Sequence, residues 1–273
     1  MNTIGPDIFK PLVYHYFPEP HASLFMGMLL GVPLKSTKNL YNDMKVVGLT
    51  HLIVLSGTNI TILASIITSF TLHFGKRLSS LITILIIGIF VIFVGPQAPI
   101  VRAALMSICT LVANITGRKS ISIYILLCSL IIIIMIWPDW LGTISLQLSY
   151  GASLGLIIFG RSSPLISEKK LRMWDNFILY LKEELRLSIA AQIFTAPIIF
   201  YYFRQISVIA PISNIVISWT IAPLMFMGMT TIILGSFHPI FGEIPAFLCY
   251  GLLTYIIGAA DSLAKVPFIF FSF

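Results

Sequence analysis

Residues 81–95 read LITILIIGIFVIFVG, and this uncharged, apolar run decides the class of the fold. Residues 123–137 form a second such run, IYILLCSLIIIIMIW. Both approach the roughly 20 apolar residues that span a bilayer as an α-helix. A membrane β-barrel would instead need strands of about ten residues with alternating polarity, and the isoleucines at 131–134 do not alternate. The sequence therefore predicts an all-α fold, a polytopic transmembrane helical bundle.

The composition of the whole chain points the same way. The 273 residues are 58% hydrophobic and 10% charged. Soluble domains typically carry about 25% charged residues, so this chain lacks the polar surface that faces water. We expect a multi-pass protein of the bacterial cytoplasmic (inner) membrane. The three cysteines lie in apolar stretches without a CxxC pair, which indicates small buried hydrophobic residues.

The apolar runs predict a single membrane domain, 1–273, in four parts. Residues 1–45 form short N-terminal segments, 46–160 a first helical group, 161–184 a basic amphipathic cytoplasmic loop, and 185–273 a second helical group. We predict about seven to nine spans, with several helices broken or kinked. The preferred assignment has spans at 46–73, 78–95, 100–116, 121–137, 143–160, 185–203, 208–235 and 245–266.

Two features interrupt this pattern of spans. Residues 21–34 are apolar but too short to cross comfortably, so they predict a half-helix or re-entrant segment, and whether they cross stays open. Pro197, Pro211 and Pro223 fall inside or at the edge of predicted spans. Because proline removes a helical hydrogen bond, we expect those helices to kink or break there.

Charge predicts the orientation. Ten of the seventeen Lys and Arg residues lie in the first, third and fifth loops between the predicted spans. An excess of Lys and Arg marks the cytoplasmic side, so these loops, including 161–186, are predicted to be cytoplasmic. We expect the fifth loop to lie at the lipid headgroups as an amphipathic helix. Its predicted apolar face comprises Trp174, Phe177, Ile178 and Leu181.

A polar cluster interrupts residues 51–60, HLIVLSGTNI. Glycine disfavours helix by about 1 kcal/mol relative to alanine, and Ser56 and Thr58 can bond back to the preceding turn. Two interpretations remain: a broken helix that faces a water-filled path, or a close helix crossing that needs small residues. His51 and Asn59 favour the broken helix, because close packing requires neither of them.

Other polar residues recur in the predicted spans. Arg102 either extends outward to the headgroups or faces a path inside the bundle. The amides are either interhelical links or parts of a shared polar interior. No carboxylate is expected at mid-membrane, so a carboxylate proton relay is not supported. The candidates in these spans are Arg102, Gln147, Ser149, Gln192, Pro197 and Asn214.

Catalysis is not favoured by the sequence. The five histidines are scattered, and neither HxH nor HExxH occurs. His51 and Ser56 lack a third group to orient them as a hydrolase would require. We therefore predict no enzyme activity, metal or cofactor.

Five segments together resemble the ComEC-type competence proteins. They occur in family order, cover about residues 18–267, and match Gly-Leu-Thr/Ser-His-Leu, Arg-Ala-Ala-x-Met and Gln-Leu-Ser patterns. The segments are FPEPHASLFMGMLLG (17–31), GLTHLIVLSGTNI (48–60), PIVRAALMSICTLVANITGRK (99–119), PDWLGTISLQLSYGASLGLIIFG (138–160) and AAQIFTAPIIFYYFRQISVIAPISNIVISWTIAPL (190–224).

The resemblance implies a channel that moves single-stranded DNA across the cytoplasmic membrane during natural transformation. It implies that a broken helix at Ser56 and Gly57 faces the DNA path. Asn59 departs from the residue that many members carry but remains a candidate for the path. The family positions that carry over are His51, Ser56, Gly57, Arg102, Gln147, Ser149, Gln192, Pro197 and Asn214.

Family members often carry an outer OB-like domain and a metallo-β-lactamase-like domain, and neither has a counterpart in this sequence. The expected partners are therefore single-stranded DNA, DNA-capture and nuclease proteins supplied in trans, and membrane lipid. A cytoplasmic DNA-translocating ATPase and a second copy of the chain, as a homo-oligomer, are open alternatives.

Two other functions stay open at the level of sequence. The same helices could form a small-molecule or ion transporter with a closed pocket at the midplane. They could also form a non-transporting membrane scaffold for a DNA-uptake complex. A scaffold would pack its spans tightly with the amides bonded to one another, whereas a channel needs a continuous polar lumen.

Overall fold

The computed structural model describes residues 5–32, 38–50, 55–160, 173–207, 209–266 and 270–272. Eleven α-helices are numbered here along this part of the chain, with short 3₁₀ turns at Pro6–Phe9, Leu72–Phe74 and Pro138–Gly142. The helices are α1 Lys10–Tyr16, α2 His21–Leu30, α3 Lys38–Val46, α4 Gly57–Thr71, α5 Lys76–Val94, α6 Ala98–Ile115, α7 Ser122–Ile136, α8 Ile144–Phe159, α9 Met173–Phe203, α10 Ala210–Phe237 and α11 Pro239–Ala264.

The architecture confirms the predicted all-α, polytopic bundle. Five helices are long and apolar enough to cross a membrane, namely α5, α6, α9, α10 and α11. The apolar helices α2, α7 and α8 are shorter. At 1.5 Å per residue, α7 and α8 measure only about 22–24 Å, against about 30 Å for the bilayer core. Fewer helices of full spanning length are therefore present in the described residues than the eight that the apolar runs predict.

The short helix α2 lies inside the protein rather than at its surface. Every residue from Ala22 to Leu30 is buried, in one hydrophobic cluster with residues of α1, α3, α10 and α11. Its close neighbour on α10 is Gly228, where an added Cβ would lie 2.5 Å from a methyl group of Leu29. The prediction of a half-helix agrees with this ten-residue element.

Helix α9 differs from the prediction. It runs without interruption from Met173 to Phe203, so no helix boundary separates a loop ending at 184 from a span starting at 185. The stretch from Met173 to Ala196 holds no glycine or proline and is rich in Leu, Lys, Glu and Arg, which favour helix. Residues 161–172 of the predicted basic loop lie outside the described residues.

The prolines do not break the helices in which they lie. Pro197 and Pro223 are inside α9 and α10, and both helices continue past them. Pro211 lies in the first turn of α10, where a missing N–H has no intrahelical partner to lose. The helices are therefore not broken at these prolines, and the alternative expectation, that they kink there, stays a prediction.

A small strand pair closes one end of the second helical group. Strand β1, Gln205–Ser207, pairs antiparallel with β2, Phe270–Ser272, with Ile206 opposite Phe271. The hydroxyl of Ser207 donates to the carbonyl oxygen of Val46 at 2.8 Å. The start of α10 is thereby tied to the end of α3, which fixes the polar face of α10 that is described below.

Candidate functional site

The polar cluster at 56–59 forms the start of a helix. Ser56 is the N-cap of α4, with extended backbone angles (φ −103°, ψ 167°), and its side chain makes no capping hydrogen bond. The predicted span at 46–73 is thus not one helix, because α3 ends at Val46 and α4 begins at Gly57. His51, a predicted site residue, lies outside the described residues.

The side chains of this cluster bond to one another and to α2. The hydroxyls of Ser56 and Thr58 are 2.5 Å apart, and Ser56 donates to Oδ1 of Asn59 at 3.3 Å. Nδ2 of Asn59 donates to the carbonyl oxygen of Met28 at 2.8 Å, and Asn59 is only 3% exposed. Asn59 therefore links α4 to the last turn of α2 rather than lining an open surface.

Arg102 faces the interior of the bundle. It lies in the second turn of α6 and is 9% exposed, which excludes the alternative that it extends to the headgroups. Its Nη1 donates to the Sδ of Met106 at 3.4 Å and to the hydroxyl of Ser153 on α8. Its Nε is buried without a hydrogen-bond partner. An arginine buried in this way is costly unless its charge and donors are satisfied.

Gly57 leaves the space that the Arg102 guanidinium occupies. A Cβ at position 57 would lie 2.7 Å from Nη2 of Arg102 and 3.1 Å from Cβ of Ala103. A Cβ at position 57 would therefore displace the end of the Arg102 side chain, and Cβ of Ala103 would have to give by a few tenths of an ångström. The glycine thus serves close packing of α4 against α6, as the second interpretation predicts, and the water-filled path of the first stays a prediction.

Helices α7 and α8 complete the surroundings of Arg102. The guanidinium carbon lies 6.0 Å from the ring centre of Tyr150, and the Tyr150 hydroxyl is 3.0 Å from that of Ser129. Ser153 donates to the carbonyl oxygen of Ser149 at 3.0 Å. The predicted residue Ser149 therefore takes part through its backbone. Four helices, α4, α6, α7 and α8, meet at this polar site.

A second polar set lies between α9 and α10. Nδ2 of Asn214 donates to the hydroxyl of Ser188 at 2.9 Å, and Ser218 donates to Oε2 of Glu184 at 3.2 Å. Gln192 follows Ser188 by four residues and so shares its helix face. Sequence reasoning missed Glu184, because the predicted span began one residue later. The four-residue spacing of 184, 188 and 192 was the signal that could have found it.

Two predicted residues lie apart from both sets. Gln147 is near the start of α8, where its side chain makes one long contact of 3.4 Å to the carbonyl oxygen of Leu141. Pro197 is exposed on α9. No contact between described residues joins Gln147, Pro197 or Asn214 to Arg102. The predicted single polar interior is thus two separate sets of contacts in this part of the chain.

Helices α4, α6, α7 and α8, which surround Arg102, lie within the region that a family comparison matches. A profile described as "Competence protein" matches residues 28–273, which is most of the chain. The chain belongs to the competence protein family. This membership confirms the resemblance drawn from the five segments, and it supports a role in DNA uptake at a general level. The apolar helices and the family together identify a multi-pass membrane protein.

The competence protein is similar to "ComE operon protein 3" of Bacillus subtilis (strain 168), at 24% identity over 200 residues. The match covers 72% of this chain and 24% of the relative. The chain thus spans about a quarter of the relative's length. No solved structure matches.

A mostly apolar groove that carries three hydroxyl side chains was not predicted in this competence protein. It lies between α4 and α10, has a volume of about 400 Å³, and begins one turn beyond Thr58. Thr61, Ser65 and Ser69 are its polar lining residues, and its apolar lining residues are Ile62, Ile66, Phe70, Ala222 and Phe226. The four-residue recurrence of these hydroxyl side chains was visible in the sequence. In the described residues, no three His, Cys, Asp or Glu side chains form a metal-ligand group.

Proposed function

We propose that the chain is the membrane channel core through which single-stranded DNA crosses the cytoplasmic membrane during natural transformation. The observation that carries the proposal is Arg102, a buried cation at an opened helix start with no acidic partner in the described part of the chain. Each nucleotide carries one phosphate, so a strand passing this point supplies the missing negative charge.

The groove along α4 supports the same proposal. Its hydroxyl groups continue from the Arg102 site along one helix face, while Thr61 also satisfies itself by donating to the carbonyl oxygen of Thr58 at 2.9 Å. Neutral hydroxyls bind a polyanion weakly. Weak binding suits conduction, because a strand held tightly at many points would not move.

In this proposal the charge distribution of the loops determines how the chain is oriented in the membrane. With the basic loops on the cytoplasmic side, the start of α4 and the first turns of α6 lie toward the outer side. Arg102 would then meet the incoming strand near the mouth. We assign no catalytic step to these helices, and we expect DNA capture and degradation of the complementary strand to take place outside them.

The test is a strain that lacks the gene and is complemented with wild type or Arg102→Gln. We expect the Gln variant to reduce DNase-protected labelled DNA and transformants by at least about tenfold, the value of one charge-assisted hydrogen bond. Arg204→Gln is the matched control, because Arg204 is exposed and its guanidinium only flanks Phe200 at 5.8 Å. Membrane levels of each variant are compared by immunoblot. Normal transformation in the deletion strain would refute the proposal.

A non-transporting scaffold is the second candidate, and one observation favours it. The amides of Asn59 and Asn214 are bonded within the bundle, as tight packing without a lumen would require. A scaffold predicts that Arg102→Gln leaves DNA entry intact as long as the uptake complex assembles. Co-purification of the uptake complex with the Gln variant, together with lost DNA entry, would favour the channel over the scaffold.

A further inference from the structure

Arg102 has unused hydrogen-bond donors, and its guanidinium lies beside the start of α4. Nη1 accounts for both of its side-chain hydrogen bonds, while Nε is buried with no partner. Nη2 lies over Gly57, 2.7 Å from the position of a Cβ. Arg102 as a residue is only 9% exposed. Buried donors of a charged group are rarely left unmade, because the loss is the full desolvation cost.

The helix start that Arg102 faces is also positive. The N–H groups of Gly57 and Thr58 open α4 without intrahelical acceptors, and Ser56 does not cap them with its side chain, whereas the N–H of Asn59 donates to the carbonyl oxygen of Ser56 at 3.1 Å. The N-terminus of a 15-residue helix carries a partial positive charge. In the described residues the two ion pairs, Lys10–Asp7 and Lys265–Asp261, lie elsewhere, so no carboxylate offsets this charge.

We propose that Arg102 and the N-terminus of α4, at the backbone N–H groups of Gly57 and Thr58, form a phosphate seat. Resting on the proposed function, its ligand is a phosphodiester of single-stranded DNA, held one phosphate at a time. An anion there satisfies the open donors of the guanidinium and the helix start together. Gly57 lets the guanidinium lie against the start of α4, and the guanidinium carbon is 6.0 Å from the ring centre of Tyr150.

Inorganic phosphate is the probe for the seat in the purified full chain. In detergent free of phospholipid, thermal unfolding is followed with phosphate and with chloride at matched ionic strength. We expect phosphate to raise the unfolding midpoint of the wild type beyond chloride, because a ligand that binds the folded state stabilises it. The phospholipid-free detergent removes lipid headgroups as the source of the anion.

The variants come in matched pairs. Arg102→Gln removes the charge, and Gly57→Ala displaces the guanidinium; each is expected to weaken phosphate affinity by at least about tenfold. Arg102→Lys keeps a charge without the planar fork and should restore only part of the affinity. Gly88→Ala is the control for the glycine, since nothing lies within 4 Å of a Cβ there, and Arg204→Gln is the control for the arginine.

Phosphate no better than chloride for the wild type would overturn the seat, as would equal phosphate stabilisation of Arg102→Gln. If Arg102→Gln does not fold, Gly57→Ala and Arg102→Lys decide by the same criterion. Binding of a fluorescent oligothymidylate gives a second readout. Loss of one phosphate contact should reduce the slope of log affinity against log salt by about 0.7, whereas a purely structural defect leaves this slope unchanged.

The two proposals fail in different ways. If phosphate binds at Arg102 but the deletion strain takes up DNA normally, the phosphate seat is supported and DNA is rejected as its ligand. If DNA uptake needs the chain but phosphate binding does not depend on Arg102, the channel is supported and the phosphate seat is rejected.

Discussion

Asn59 and Gln147 are both amides within apolar helices, yet their surroundings give them different weight. Asn59 is buried and donates to Met28, whose carbonyl is one of the last four of α2 and so has no intrahelical donor of its own. Gln147 is partly exposed and makes only one long contact. An amide side chain is thus a structural link between helices at position 59, whereas Gln147 makes no comparable bond.

We predict that Asn59→Ala lowers the free energy of unfolding by about 1–3 kcal/mol, because the Met28 carbonyl is left buried without a donor. Gln147→Ala should change it by less than about 0.5 kcal/mol. Unfolding of both variants in the same micelles, compared with wild type, measures the difference. Equal losses would mean that the Asn59 bond does not secure α2.

At the scale of elements, the contact between α8 and α9 depends on a missing side chain. A Cβ at Gly155 would lie 2.0 Å from the carbonyl oxygen of Ala190, while a Cβ at Gly151 would lie 3.3 Å from the Cδ1 of Ile198. Small residues four apart let membrane helices approach closely. The same approach holds α8 in the position from which Ser153 reaches Arg102.

We therefore expect Gly155→Val to destabilise the protein by more than about 2 kcal/mol, since α9 must move away from α8. Gly88→Val is the matched control in α5, because a Cβ there meets nothing within 4 Å. Thermal unfolding and protease resistance compare the two variants. A Gly155→Val protein as stable as the Gly88 control would show that the two helices are not held by this contact.

For the whole molecule, packing falls into separate clusters. One joins α1, α2 and α3 to α10 and α11, a second joins α4, α5 and α6, and a small third includes Ala98, Ile133 and Leu146. Arg102 lies on α6 between Ala98 of the third cluster and Ala103 of the second. The buried charge therefore lies where the second and third clusters meet, and neither cluster encloses it alone.

Composition and apolar runs were sufficient to predict the helical class, and the sequence at Ser56 and Gly57 predicted the interruption between α3 and α4. The direction of Arg102 was not predictable, because it depends on which helices pack against α6. The sequence also did not reveal that α9 begins at Met173, since the charges in its first turns resemble a loop although their residue types favour helix. Contacts between side chains of different helices leave no local pattern in the sequence, whereas the apolar residues along one helix recur at a regular spacing.

The last prediction concerns the orientation of the whole bundle, which follows from the basic loops. With the native cysteines replaced, Asp139→Cys in the turn between α7 and α8 should react with an impermeant maleimide in intact cells. Ser167→Cys in the basic loop should react only after the membrane is permeabilised. The opposite pattern would place Arg102 toward the cytoplasm. The phosphate seat would then meet the strand as it leaves rather than as it arrives, and electrostatic attraction of incoming DNA could not explain its charge.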